Sequence, residues 1–152
     1  CSEFVWLSGV MRRSGRVLSI DPGRDKCGLA VVDQAEGVLQ QAVISADKLI
    51  PSVERWCRDY VCPVVLVGNK TACKTVIERL APLLAEKKIE AIITVDEHKT
   101  TEEARLRYWQ AHSPDGLKRF LPLGLLSPPC AIDDFAAIIL AERYFAQCMK
   151  NF

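Results

Sequence analysis

Long hydrophobic runs are missing from this sequence: no stretch of about 18 apolar residues occurs, so a membrane-spanning helix is not expected. A charge excess is missing too, because 20 Lys and Arg stand against 19 Asp and Glu, for a net charge of +1. This balance excludes a strongly basic, histone-like protein, so nucleic-acid binding would have to come from a local patch. The hydrophobic content of 49% excludes disorder. The eight Gly and eight Pro show no fibrous period.

Closely paired metal ligands are also absent, although the chain contains seven cysteines. There is no CxxC motif, and the cysteine count is odd, whereas a secreted disulfide framework usually has an even count. Several cysteines lie in apolar runs, where Cys behaves as a small hydrophobic residue. We therefore expect a reducing compartment and a cytoplasmic location, and we do not expect a zinc site.

The length of 152 residues fits one domain. We interpret residues 1–15 as an N-terminal extension or a cloning remnant, because Met11 and two arginines follow a short apolar run there. Residues 16–152 are predicted to form a single domain, since no internal linker is long enough to divide them.

Hydrophobic periodicity predicts an α/β domain. Three β-rich runs separated by brief polar turns predict antiparallel strands. Later apolar runs alternate with helical patterns, which is typical of parallel strands joined by helices. The predicted order is β-β-β-α-β-α-β-α-α, a mixed five-stranded sheet flanked by helices. Strands are expected at 17–20, 27–32, 38–44, 61–67 and 89–95, helices at 46–60, 74–87, 100–111 and 132–149, and a loop at 113–129.

Acidic residues lie where predicted elements begin or end. Asp21 closes the first strand, Asp96 and Glu97 follow the last strand, and Asp133 and Asp134 open the final helix. Because ligands bind at the carboxyl ends of strands in open α/β sheets, we expect Asp21, Glu97 and Asp133 to converge. Converging carboxylates repel each other unless a cation neutralises them, and oxygen ligands suit Mg²⁺ or Mn²⁺. Such ions can activate water for phosphodiester hydrolysis.

Each position also has a structural interpretation. Asp21 precedes a Pro-Gly pair and fits a turn. Asp133 and Asp134 both fit the start of a helix, so either one could be the last ligand and the other a cap. His98, beside the expected glutamate ligand, could move a proton or serve only as a hydrogen-bond partner.

Three segments resemble, in order, the motifs of RuvC-like nucleases of the YqgF type: VLSIDPGRDKCGLAVVD (17–33), VDEHKTTEEARLRYW (95–109) and PPCAIDDFAAIILAERYF (128–145). Together they frame nearly the whole chain and are most similar to cyanobacterial-type members. The resemblance implies an RNase H-like fold. It also implies a Mg²⁺- or Mn²⁺-dependent nuclease with Asp21, Glu97 and Asp133 as the acidic triad.

Two positions depart from the patterns of related nucleases. Residues 98–100 read His-Lys-Thr, where many members of the YqgF type have Arg-Leu-Thr. Ala136 lies three residues after Asp133, where RuvC resolvases carry a further acid or His. The second departure weakens the interpretation as a strict resolvase.

Basic side chains near the acidic positions could bind nucleic acid. The tract GNKTACKT (68–75) nearly matches the phosphate-loop pattern GxxxxGK[ST], but Cys73 replaces the second Gly, so we do not expect a nucleoside triphosphate site. Its lysines would instead contact a backbone phosphate. The residues expected to give salt-dependent, sequence-independent contacts are Arg24, Lys26, Lys70, Lys74, Lys99 and Arg105.

Three functions remain open from the sequence. The resemblance implies hydrolysis of phosphodiester bonds in maturation of the 5′ end of the 16S ribosomal RNA precursor. The second is a Holliday junction resolvase acting on branched DNA, which needs two symmetric sites and hence a homodimer. The third is a nucleic-acid-binding ribosome-assembly module with little cleavage activity. The partner is therefore RNA or branched DNA, and no membrane partner is expected.

Overall fold

The computed structural model describes residues 15–98, 100–112, 128 and 131–150. In this part of the chain, five strands form one mixed sheet in the order β3-β2-β1-β4-β5. The first three strands pair antiparallel, and β4 and β5 extend the sheet in parallel to β1. The predicted mixed five-stranded sheet is confirmed. The strands are β1 (Arg16–Asp21), β2 (Lys26–Asp33), β3 (Gly37–Ser45), β4 (Val64–Gly68) and β5 (Ala91–Val95).

Four α-helices flank the sheet within the described residues. None of these helices is both long and apolar enough to cross a membrane. The predicted loop at 113–129 and Lys99 lie outside the described residues, apart from Pro128. The helices are α1 (Leu49–Tyr60), α2 (Cys73–Ala85), α3 (Thr100–Ala111) and α4 (Asp133–Lys150).

The central strand β1 is buried on both faces, as its mostly apolar sequence suggests. Alternate residues point to opposite sides of the sheet. Leu18 and Ile20 face the core formed with α1 and α2, and Val17 faces the core formed with α4. Asp21, at the end of this strand, is therefore held by a backbone that is packed on both sides.

Two element boundaries differ by three residues from the sequence prediction, and the others differ by two or fewer. The strand expected at 61–67 starts only at Val64, because Val61 adopts a left-handed conformation, with φ of 56°, that ends α1. The Cys62 amide then donates to the Cys57 carbonyl at 2.9 Å, which closes the turn before β4. The helix expected from residue 46 begins with a single 3₁₀ turn at Ala46–Lys48 before α1.

Helix α4 approaches the sheet closely at its first turn. A Cβ atom built on Gly28 of β2 would lie 1.9 Å from the Asp133 carbonyl oxygen, so this position has no room for a side chain. One turn further on, the buried Ser19 hydroxyl of β1 donates to the Ala137 carbonyl at 2.5 Å. These two contacts fix the position at which α4 begins, and with it the position of Asp133.

We expect Gly28→Ala to lower the free energy of unfolding by about 1–3 kcal/mol, because the added methyl group collides with the backbone of α4. Urea unfolding followed by circular dichroism measures the change. Gly15→Ala is the control, since a Cβ there meets its nearest atom at an ordinary 3.6 Å. Equal stability of the two variants would show that α4 does not need this close approach.

Candidate active site

Two buried carboxylates lie at one edge of the sheet. Asp21 ends β1 and Glu97 follows β5 by two residues, and both strands run parallel to β4, which lies between them. The carboxyl ends of the three strands therefore meet at one edge. Asp21 is 4% exposed and Glu97 is 6% exposed, although both are acidic. Burial at this level is rare for carboxylates without a partner.

Lys70 is the partner of both acids. It follows β4 by two residues, so its loop lies between the strand ends that carry Asp21 and Glu97. Its Nζ atom lies 3.4 Å from Asp21 Oδ1 and 2.9 Å from Glu97 Oε2. One ammonium group thus bridges the two carboxylates.

The bridge compensates only part of the electrostatic cost of burying these acids. Burial raises the pKa of Asp21 to about 7, with the negative charges of Glu97 and Asp133 adding to the rise and Lys70 opposing it. Burial also raises the pKa of Glu97, again against the effect of Lys70. Asp133 is thus near enough to Asp21 for its charge to act on the pKa of Asp21.

The backbone around Glu97 is held from two sides. The Glu97 amide donates to Asn69 Oδ1 at 3.1 Å, which ties the turn after β5 to the loop after β4. Arg143 of α4 donates to the carbonyls of Asp96, at 2.9 Å, and His98, at 2.5 Å. The residues on either side of Glu97 are therefore both anchored to α4, and the position of Glu97 is fixed by its neighbours.

The Glu97 side chain packs directly over Gly68, the last residue of β4. A Cβ atom at this glycine would lie 1.6 Å from Glu97 Oε1, so only glycine leaves space for the carboxylate. Neither oxygen of Glu97 accepts a well-oriented hydrogen bond within the described residues, although Oε2 is paired with Lys70. Glu97 therefore retains free acceptor capacity inside the site.

The two aspartates at the start of α4 have different surroundings. Asp134 accepts from the Gln41 side chain of β3 at 2.9 Å and from the Phe135 amide at 3.0 Å. Its carboxylate is therefore engaged by structural donors, whereas the charge of Asp133 acts on Asp21. Which of the two is the last ligand stays a prediction, and the engaged carboxylate of Asp134 favours Asp133.

The other predicted residues that the structure describes are exposed or half-buried. His98 is exposed, and its amide donates to Asp96 Oδ1 at 3.3 Å. Arg24, Lys26 and Lys74 are exposed and Arg105 is half-buried. No ion pair of these four cations is among the contacts found in the described residues. They stay predictions as nucleic-acid contacts.

Three site residues were missed or given another role by sequence reasoning. Lys70 was expected to contact phosphate, but it pairs with the acids. Asn69 lies beside it in the tract that resembles a phosphate loop, which was a usable signal. Arg143 lies within the third motif, yet nothing in its spacing indicates contact with the loop after β5.

The donor chemistry fits a divalent cation, since the site offers buried carboxylate oxygens, and those of Glu97 accept no well-oriented hydrogen bond from the residues that the structure describes. The geometry of the described residues does not by itself form a metal cage: no group of three or more His, Cys, Asp or Glu side chains is close enough there. At present one positive charge, that of Lys70, occupies the space between Asp21 and Glu97.

Comparison with solved structures shows what fold carries this site. Thermus thermophilus RuvC in complex with Holliday junction substrate superposes with a TM-score of 0.56 at 14% identity, covering 88% of this chain and 95% of that chain. The fowlpox virus resolvase in complex with Holliday junction DNA gives 0.56 at 13% identity, covering 88% and 99%. The fold is RuvC-like. No protein-family model and no curated protein matches the sequence.

The RuvC-like fold agrees with the fold expected from the three motifs. It does not distinguish the YqgF type from other nucleases, because likeness at this identity concerns the fold alone. The acidic positions themselves rest on the geometry of this chain.

In the metal-free protein, we expect the free energy of unfolding to fall as pH rises from about 4 to about 7. Native Asp21 keeps its proton up to about pH 7, whereas the unfolded residue loses it near 3.8, so the native state binds more protons in this interval. Asp21→Asn should remove the contribution of Asp21 and leave that of Glu97. Relative to wild type, the free energy of unfolding of this variant should be about 1–4 kcal/mol higher at pH 8 than at pH 4. Urea unfolding in EDTA at both pH values measures the difference.

The matched control for this measurement is Asp25→Asn, an exposed aspartate in the turn after β1. The free energy of unfolding of Asp25→Asn should change with pH in the same way as that of wild type. If Asp21→Asn also parallels wild type, Asp21 ionises normally and is not buried as described.

Gly68→Ala should displace the Glu97 carboxylate, because the new methyl group occupies the place of Oε1. We expect about 10- to 100-fold weaker Mn²⁺ binding by calorimetry, with the far-ultraviolet circular dichroism spectrum unchanged. Gly15→Ala again serves as the control. Unaltered Mn²⁺ affinity in a folded Gly68→Ala protein would mean that Glu97 does not need its place over Gly68 to bind the metal.

Proposed function

We propose that this protein is a divalent-metal-dependent nuclease that hydrolyses phosphodiester bonds. The observation that carries the proposal is the pair of almost fully buried carboxylates, Asp21 and Glu97, at the carboxyl edge of a RuvC-like sheet. These two acids share one lysine, and the negative charge of Asp133 adds to the rise in the pKa of Asp21. A structural role does not require such an arrangement. Clustered carboxylates with raised pKa values are typical of functional sites.

Asp21, Glu97 and Asp133 would hold the metal ion, and Mg²⁺ or Mn²⁺ suits these oxygen ligands. When bound, the ion would activate water and neutralise charge on the phosphodiester. The chain's own part is to fix the acids before substrate arrives. Gly28 lets α4 bring Asp133 to the sheet, and Asn69 and Arg143 hold the backbone of Glu97.

The substrate proposed first is the precursor of 16S ribosomal RNA, cleaved during maturation of its 5′ end in the cytoplasm. Support comes from the three sequence segments that resemble the YqgF type, two of which carry Asp21 and Glu97. The cations that the sequence suggests for nucleic-acid binding, namely Arg24, Lys26, Lys74, Lys99 and Arg105, would contact backbone phosphates without reading sequence.

The second candidate substrate is branched DNA. The observation that favours it is the superposition on two resolvases whose structures hold Holliday junction DNA. Symmetric cleavage of a junction needs two sites, so this candidate requires a homodimer. Monomers that cut RNA and dimers that nick junctions are thus distinguishable in solution.

We expect the purified protein to cleave a labelled 5′-end fragment of precursor ribosomal RNA in Mg²⁺ or Mn²⁺ and not in EDTA. Asp21→Asn, Glu97→Gln and Asp133→Asn should each reduce the rate by about 10²-fold or more. Asp25→Asn should cut at the wild-type rate. Asp134→Asn tests the register of the last ligand and is expected to keep activity, because Gln41 and a backbone amide engage its carboxylate.

A four-way DNA junction is assayed in parallel, with the oligomeric state measured by light scattering. Symmetric nicking of the junction by a dimer, without RNA cleavage, would replace the first substrate by the second. If folded protein binds RNA but cuts neither substrate in either metal, the nuclease proposal fails. A ribosome-assembly module that binds nucleic acid would then be the better description.

A further inference from the structure

The loop after β4 brings a cation into the acidic site. Because β4 lies between β1 and β5, this loop is flanked by the two strand ends that carry Asp21 and Glu97. Lys70 reaches both carboxylates with the same Nζ atom, at 3.4 Å and 2.9 Å. The ammonium group therefore lies between the two carboxylates, where its charge reduces their repulsion.

The backbone next to Lys70 is anchored, but its side chain is free to leave. The Asn69 amide donates to the Val95 carbonyl at 3.1 Å, and Asn69 Oδ1 accepts from the Glu97 amide at 3.1 Å. These bonds hold the loop on the turn after β5. The Lys70 side chain is 42% exposed, and its recorded contacts in the described residues are those of Nζ with the two acids. A rotation of its flexible stem can move the ammonium into water while the loop stays in place.

We propose that Lys70 is a positioning residue that holds Asp21 and Glu97 together in the metal-free protein and that a divalent metal ion displaces it. This inference rests on the proposed function, since it assumes that these acids bind the metal. Two buried carboxylates need a counter-charge whether or not metal is present. Lys70 supplies that charge from within the chain, so metal binding exchanges one cation for another. The affinity for metal is consequently lower than the two acids alone would give.

The exchange predicts the effect of removing the ammonium. Mn²⁺ binding is measured by calorimetry at pH 7.5 without nucleic acid, on wild type, Lys70→Met, Lys70→Arg and Lys74→Met. We expect Lys70→Met to bind Mn²⁺ about tenfold more tightly than wild type, because no tethered cation competes. Lys70→Arg keeps a positive charge and should remain close to wild type.

Lys74→Met is the matched control. It removes one exposed lysine from the same tract, and it changes the net charge by the same amount as Lys70→Met. We expect it to leave the Mn²⁺ affinity unaltered, because the ion pairs with Asp21 and Glu97 are those of Lys70. Thermal unfolding gives a second readout. In EDTA, the Tm of Lys70→Met should be a few degrees below that of wild type. Saturating Mn²⁺ should raise the Tm of Lys70→Met by more than it raises the Tm of wild type. If Lys70→Met only lost stability in general, its Tm would be lower than that of wild type both in EDTA and in Mn²⁺, and Mn²⁺ would raise the two Tm values equally.

The outcomes separate the two proposals. If wild type and Lys70→Met bind Mn²⁺ equally well and Asp21→Asn abolishes binding, the competition by Lys70 is refuted while the metal site stands. If Lys70→Met binds more weakly than wild type, Lys70 supports metal binding and the inference is also refuted. If none of the proteins binds Mn²⁺, Lys70→Met included, the metal site itself is refuted, and the inference with it.

A measurement on the unsubstituted protein covers the case in which Lys70→Met does not fold. An amine-reactive ester acylates accessible lysines, and mass spectrometry compares Lys70 with Lys74. Saturating Mn²⁺ should increase the acylation of Lys70 severalfold relative to Lys74, because the displaced amine is no longer held between two carboxylates. An unchanged ratio at saturating Mn²⁺ would contradict displacement.

Discussion

Two carboxylates buried side by side need a positive charge between them, and most features of this site follow from that requirement. Asp21 and Glu97 come from strands separated by β4, so the charge has to arrive from the loop that follows β4. Lys70 occupies that loop, and Asn69 beside it fastens the loop to the Glu97 backbone. Lys70 offsets part of the cost of burying these charges, although burial still raises the pKa of both acids. The fold thus keeps a pair of acids in a state that most proteins avoid.

Helix α4 supports the same site from the other side. Its first turn can approach β2 only because Gly28 has no side chain, and the Ser19 hydroxyl fixes the next turn. Further along the helix, Arg143 binds the carbonyls on either side of Glu97. The helix is therefore a structural brace for two of the three acids rather than a layer that only covers the sheet.

The local pattern of apolar runs and turns was sufficient to predict the sheet and the acids at its edge. Apolar runs interrupted by turns predict the five strands, and the ends of those strands single out Asp21 and Glu97. The contact that engages Asp134 was not predictable, because Gln41 lies on a distant strand and meets the helix only after folding. The left-handed Val61 is also beyond prediction, since β-branched residues disfavour that conformation. The bridging role of Lys70 was not predictable because a lysine near a helix start fits phosphate equally well.

Helix α4 makes one contact near its start, between Asp133 and Gly28, and another further along, between Arg143 and the backbone around Glu97. The distance between these two contacts limits how the sequence can change. Asp133 begins the helix and Arg143 follows ten residues later, about 15 Å along the axis. One residue inserted or deleted between them would turn one end against the other by about 100° and shift it by about 1.5 Å. Only one of the two contacts could then survive. Homologous chains that keep both contacts should therefore align without gaps from Asp133 to Arg143, and length differences among them should fall in the connecting loops.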